Sequence, residues 1–288
     1  MQVRLSPSVP VSRPRWQGSR SARFVAVLFL FAVVASCRLT EVNFVALFEP
    51  EALDNLWAFA QGMLPPAHSP AFLRTIARPT LETVQIALLG TVLAALLGFP
   101  LSLLATNSLL FAGPLHAMER RGPLAWLLKR LPYAMARLLL DILRAIPELV
   151  WALVFVRALG LGPAPGIIAL GVSYSGMLGK VYADIFEAVD PAPLRALQST
   201  GASRLHLVLY GLLPQALPNV LAYTLYRWEC ALRASALMGF VGAGGIGQHI
   251  ELSMRMFEYD RAVSMILVVF ALSSVVERLG DALRRRIL

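Results

Sequence analysis

Cysteine and histidine are scarce in this chain, with two Cys and four His among 288 residues. Cys37 and Cys230 fall within or beside apolar segments, which leaves neither a disulfide framework nor a cysteine-rich metal site. His68, His116, His206 and His249 are scattered over separate loops and offer no shared metal site or catalytic base. Charge is thin as well, at 15% of residues, and acidic side chains are outnumbered 17 to 26, giving a formal net charge of +9. That excess does not point to nucleic acid, because no basic patch is interleaved with the aromatics that stacking on bases requires. Nucleotide motifs fail on context. GAGGIG at 242–247 fits G-x-G-x-x-G, but it separates two apolar stretches instead of opening a βαβ unit. Gly179-Lys180 is no phosphate loop, since Tyr174 stands where the first Gly belongs and Val181 where Ser or Thr belongs. There is no G-x-S-x-G elbow, and the acidic residues in apolar stretches have basic neighbours, which argues against an acid/base pair. No catalytic residue and no metal ligand is assigned.

What the chain has in abundance is apolar surface: 57% of residues are hydrophobic and mean hydropathy is +0.66. That composition belongs to an integral membrane protein. Stretches of about 20 apolar residues, long enough to cross a bilayer, lie at 80–105, 133–158, 165–186, 218–240 and 260–280. A shorter one, FVAVLFLFAVVASC, lies at 24–37. The expected fold is therefore all-α, with about six transmembrane helices. Residues 1–23 read as a basic, disordered tail, 24–75 as the first span and a loop with an interfacial helix, and 76–288 as the main domain. VASC at 34–37 also resembles a lipoprotein-type cleavage box ending at Cys37, which would leave five spans; Arg38 and the many later spans favour an uncleaved anchor. With the N-terminus inside, the segments 1–23, 106–131, 187–217 and 282–288 hold 14 Lys and Arg, against 4 in 38–78, 159–165 and 241–258. Basic residues near span ends stay on the cytoplasmic side, so both termini and residues 187–217 are expected there.

Residues 194–218, LRALQSTGASRLHLVLYGLLPQALP, lie between two of these stretches. Asp190 followed by Pro191 reads as an N-cap and first helical residue. Gly201 suits a left-handed helix end, Ser203 caps a second helix, and Pro214 and Pro218 punctuate the return to the bilayer. The expected product is a rigid helical hairpin. Ionisable residues inside spans are costly and count as functional candidates. Asp141, Arg144 and Glu148 are spaced for one helical face, with Pro147 beside them, and Glu229 and Arg233 are four apart, with Arg227 one turn earlier. Either these charges pair, Asp141 with Arg144 and Glu229 with Arg233, or Arg144, Arg227 and Arg233, with Glu148 and Glu229, line a path for an oxyanion. Gly242, Gly244, Gly245 and Gly247 read as a close-packed turn or gate near the outer mouth.

The hairpin resembles the permease subunits of bacterial importers powered by a separate ATPase and fed by an external binding protein. Their signature is EAA, three residues, Gly, nine residues, then I-x-L-P. Here Arg195, Ala196 and Leu197, then Gly201, then Gly211, Leu212, Leu213 and Pro214 keep the spacing in full, with Arg195 in place of Glu and Gly211 in place of Ile. LRAIPELVWALVFV (143–156), IFEAVDPAPLRALQSTGASRL (185–205), LYRWECALRAS (225–235) and VGAGGIG (241–247) resemble the phosphonate branch of that family most closely. The resemblance implies a type I ABC importer permease whose hairpin, through Glu187, Asp190, Arg195, Ala196, Gly201, Ala202, Ser203 and Pro214, docks on the ATPase. It implies a second copy of the chain, two ATPase subunits inside, a solute-binding protein outside, no cofactor on this chain, and ATP hydrolysis by the partner, all in the bacterial inner membrane. The expected cargo is phosphonate or a related oxyanion. The alternatives are a methionine- or osmolyte-type cargo, a membrane-embedded enzyme, or a scaffold without transport.

Overall fold

The computed structural model describes residues 20–40, 48–107 and 123–287. Most of the basic tail, and most of the loop that holds His116, lie outside the described residues. The described chain is helical, and no strand occurs among the described residues. It divides into two compact units, Met1–Ala58 and Phe59–Leu288.

The first unit holds α1 (Arg20–Leu39), on which Phe24, Leu28, Phe31 and Val34 are all exposed. A helix apolar on every side is compatible with lipid, because its backbone groups are satisfied within the helix. The helix α2 (Pro50–Gly62) starts with proline at its first position and Glu51 in its first turn, both suited to the unpaired N–H groups there.

In the second unit lie α3 (Pro70–Ala105), α4 (Pro123–Ala145), α5 (Glu148–Leu159), α6 (Pro163–Glu187), α7 (Pro191–Ser199), α8 (Leu213–Met238), α9 (Gly245–Arg255) and α10 (Tyr259–Ile287). The hub is α6, which packs against α3, α4, α5 and α8. Glycine sets its spacing. A Cβ on Gly98 of α3 would lie 2.8 Å from the Ser175 carbonyl oxygen and 3.0 Å from the Gly179 nitrogen, and one on Gly176 would lie 2.7 Å from both the Leu140 oxygen and the Arg144 nitrogen of α4. Helices in lipid gain little from hydrophobic association, so this backbone-to-backbone approach provides the packing that holds them.

The helices α3 and α6 run parallel. At one end the Thr83 hydroxyl accepts from the Ile246 N–H at 2.8 Å, and Gly244 sits against Glu82 and Pro163. At the other end Glu187, the last residue of α6, accepts from the Asn107 N–H at 2.8 Å, just beyond α3.

Among the described residues three helical stretches are long and apolar enough to cross a membrane: Ala22–Leu39, Pro70–Ala105 and Tyr259–Ile287. A fourth is the pair Leu207–Val241 and Gly245–Arg255, bent by 45°. The six expected spans therefore do not all reappear at that length and hydropathy. The stretch 133–158 is interrupted at Pro147, which separates α4 from α5, so Glu148 is not on the same continuous helix as Asp141 and Arg144. The expected span 165–186 is α6, which is not among these stretches and has 14 of its 25 residues buried. A hub helix meets neighbouring helices over much of its surface, so Gly, Ser and Tyr take the place of Leu.

We expect Gly176→Leu to destabilise the detergent-solubilised protein by about 2–3 kcal/mol or more, because the obstacle is α4 backbone and not a flexible side chain. A thermal-shift measurement against Leu89→Ala, at an exposed position, would show a marked drop for the first and little for the second.

Candidate functional site

The hairpin is assembled by local chemistry. The Asp190 carboxylate accepts from the Ala192 N–H at 2.9 Å, and Pro191 brings no N–H to be stranded. The first arm, α7, ends in a turn in which Gly201 adopts φ +80° and donates to the Gln198 carbonyl at 3.0 Å. The Ser203 hydroxyl lies 2.5 Å from His206 Nδ1 and 3.5 Å from its backbone nitrogen, and His206 stacks on Tyr210. The second arm is π-helical over Leu207–Leu212 before α8 begins. Its wide turn is closed by the Leu213 N–H on the Val208 carbonyl, immediately before Pro214, which has no N–H to continue the regular ladder.

The two arms lock through a pair of unusual residues. Leu194 is buried, and a Cβ on Gly211 would lie 2.7 Å from Leu194 Cδ2 and 3.1 Å from Leu197 Cδ1. In the motif resemblance Leu197 stands where Ala is usual and Gly211 where Ile is usual. Leu194, the nearer, and the larger Leu197 together fill the space vacated on the facing arm. Arg195 and Ala196 are exposed on α7, Ala202 is half-buried, and Ser203 and Pro214 are exposed.

The root of the hairpin is a second cluster. Arg137 of α4 donates through Nε to the Ala105 carbonyl at 2.8 Å and through a terminal nitrogen to Glu187 at 2.9 Å. It also lies 3.8 Å from Asp184, which Lys180 approaches at 3.2 Å. Arg137 had no sequence signal beyond being a basic residue in an apolar helix; its partners lie 32 and 50 positions away.

The intramembrane charges sort themselves. Asp141 and Arg144 pair at 2.7 Å, both exposed. The expected Glu229–Arg233 pair is not made. Glu229, 8% exposed, instead pairs with Arg284 of α10 at 2.7 Å, and Arg284 also holds Asp281. The space for this is Gly280, where a Cβ would fall 1.9 Å from the Glu229 oxygen. Arg233 is exposed, 3.7 Å from the Cys230 sulfur.

Arg227 is different. Its guanidinium carbon sits 4.3 Å from the centre of the Tyr174 ring, one terminal nitrogen touches the Met177 sulfur, and Nε is buried with no hydrogen-bond partner among the described residues. Trp151 Nε1, Ser173 Oγ and Trp228 Nε1 are likewise buried and unpartnered. Three N–H donors and one hydroxyl on or beside α6 are thus buried without a partner among the described residues.

Gly242, Gly244, Gly245 and Gly247 form the bend between α8 and α9, and all are buried. Gly242, Gly244 and Gly245 have positive φ, and a Cβ on Gly247 would fall 1.7 Å from the Ala236 carbonyl oxygen. No group of three or more His, Cys, Asp or Glu positioned for a metal occurs among the described residues.

Residues 123–288 match the family described as binding-protein-dependent transport system inner membrane component. The chain belongs to that family: it is a membrane transport subunit and not an enzyme. The phosphite transport system permease protein PtxC of Stutzerimonas stutzeri is 33% identical over 233 residues, covering 81% of this chain and 78% of that one. The phosphate-import permease protein PhnE of Mycolicibacterium smegmatis is 38% identical over 246 residues, covering 84% of this chain and 42% of that longer protein. Among solved structures, an inward-facing form of the MetNI methionine ABC transporter aligns with a TM-score of 0.61 at 21% identity, over 77% of this chain and all of that one, which shows the fold alone.

Gly211→Ile is expected to separate the hairpin arms and lower thermal stability, and Leu197→Ala in the same chain to recover much of the loss. A double-mutant cycle would show a coupling of about 1 kcal/mol or more. Simple additivity would mean that the two positions do not compensate.

Proposed function

We propose that this chain is the permease subunit of an ATP-driven importer that moves phosphonate or a related oxyanion, such as phosphite or phosphate, across the bacterial inner membrane. Two copies enclose the path, two ATPase subunits bind on the cytoplasmic side, and a loaded binding protein docks outside. Both termini and the hairpin face the cytoplasm, as the distribution of Lys and Arg favours. ATP is bound and hydrolysed by the partner chain, and this chain holds no cofactor. Nucleotide-driven closure pushes the hairpin, the helices rearrange, and access to the path alternates between the two sides. The exposed Arg195, at the rim of the docking surface, tunes association more than it decides coupling.

The observation that carries the cargo reading is Arg227. Holding a half-buried guanidinium against a ring and a sulfur, with Nε unpartnered, leaves a cation that a passing oxyanion can complete, and its planar donors match phosphoryl oxygens. The names of the phosphite and phosphate permeases to which the chain is similar agree with this. Arg144 is already paired with Asp141, and Glu229 with Arg284, so they contribute less to an anion path. The bend at Gly242–Gly247 closes the end of the path away from the hairpin.

Proteoliposomes holding the assembled transporter would take up labelled phosphite, phosphate or an alkylphosphonate in an ATP-dependent manner, and methionine poorly. Arg227→Gln would lower that uptake by about tenfold, and Arg144→Gln far less. Preferential methionine uptake, or no effect at Arg227, would overturn the reading.

A further inference from the structure

Two helices end around one side chain carried by the middle of a third. Arg137 donates to the Ala105 carbonyl, the last of α3, to Glu187, the last residue of α6, and approaches Asp184 one turn earlier, while projecting from α4 itself. Glu187 returns a bond to α3 by accepting from the Asn107 N–H. The side chain is 22% exposed, so these contacts are only partly screened by water. Three residues beyond Glu187 stands Asp190, the cap from which the hairpin's first arm is hung. The hairpin's second arm runs without a break into α8, so it has its own rigid link to the transmembrane helices. The first arm packs on the second through Leu194 and Leu197, and its covalent link to α6 is the short connection through Ala188 and Val189.

From this geometry we infer that Arg137 is a positioning residue for coupling: it clamps the root of the first hairpin arm to α3 and α4, so that displacement of the hairpin moves those helices together with α6. The inference rests on the coupling role proposed for the hairpin. A guanidinium is suited to the task because its fixed fork reaches a carbonyl and a carboxylate in different directions at once. A lysine ammonium at the same place is a point charge that keeps the attraction to Glu187 and Asp184 without holding both directions. Without the clamp, force on the hairpin bends the connection at 188–189 in place of moving three helices, and ATP is spent without transport.

The test is the number of solute molecules imported per ATP hydrolysed by the assembled transporter in proteoliposomes. Arg137→Gln should lower this ratio about fivefold or more, while ATPase copurification and ATP hydrolysis remain within about twofold of the parent, a range within ordinary coupling energies. Glu187→Gln should act in the same direction, and the double variant should be no worse than the worse single, since both remove one bond. Arg137→Lys should fall between parent and Gln, and it provides the same comparison if Arg137→Gln does not accumulate in the membrane. An unchanged ratio in Arg137→Gln, or in Arg137→Lys where only that variant accumulates, overturns the inference. So does a loss of ATPase binding that matches the loss of transport. Gly201→Val in the hairpin separates the two readings: if it leaves both hydrolysis and the ratio intact, the hairpin role itself fails, whereas an effect there with none at Arg137 removes only the clamp.

Discussion

Contact between bare backbones, α3 against α6 at Gly98 and Gly179 and α6 against α4 at Gly176, is the constraint from which the rest of the second unit follows. Lipid solvates an apolar helix as well as another helix does, so specificity has to come from surfaces that fit at short range. Once α6 is seated this closely on two neighbours, its ends are fixed. One end meets the Gly242–Gly247 bend through Thr83 of α3, and the other carries Glu187 and the hairpin. The two sites of chemical interest are therefore joined by a single well-packed helix.

The hairpin shows how a family's motif survives substitution. Its shape depends on features that act within a few residues: the Asp190 cap, the positive φ at Gly201, the missing N–H at Pro214. Its interior depends on the volume shared by facing arms. Leu197 and Gly211 depart from the usual pattern in opposite senses and meet each other in the structure. Arg195 faces outward, so it alters the surface a partner sees without disturbing the packing beneath.

Legibility follows the range of the interaction. Caps, turns and apolar length are encoded within about one helical turn of sequence, and Asp190, Gly201, α3 and α10 could be read directly. Pro147 was visible too, yet the spacing of Asp141, Arg144 and Glu148 looked like one face only while the helix was taken as continuous. Pairing across the fold leaves no such trace. Glu229 had a complementary charge four residues away in Arg233, and the structure gives it one 55 residues away, because Gly280 opens a slot on α10 that no local pattern announces. Arg137 was missed for the same reason. The makeup of α6 also depends on its surroundings: a central helix is chosen for closeness, and closeness selects small residues over large ones.

The charges carried by the apolar helices then fall into two kinds by what folding has done for them. Glu229 with Arg284 and Asp141 with Arg144 are complete, each cation facing a carboxylate at 2.7 Å. The first joins α8 to α10, and removing one of its partners leaves the other uncompensated. Arg227 is incomplete. Arginine does not shed its proton in a protein, so it cannot escape burial by becoming neutral as a lysine can. The Tyr174 face and the Met177 sulfur recover part of the lost hydration, and neither carries a negative charge. Folding has thus met much of the cost of stripping water from this cation before any ligand arrives. On the proposed reading an oxyanion drawn to it gains the remaining interaction without having to dehydrate or order the arginine, and among the described residues no carboxylate competes with it for the unpartnered Nε.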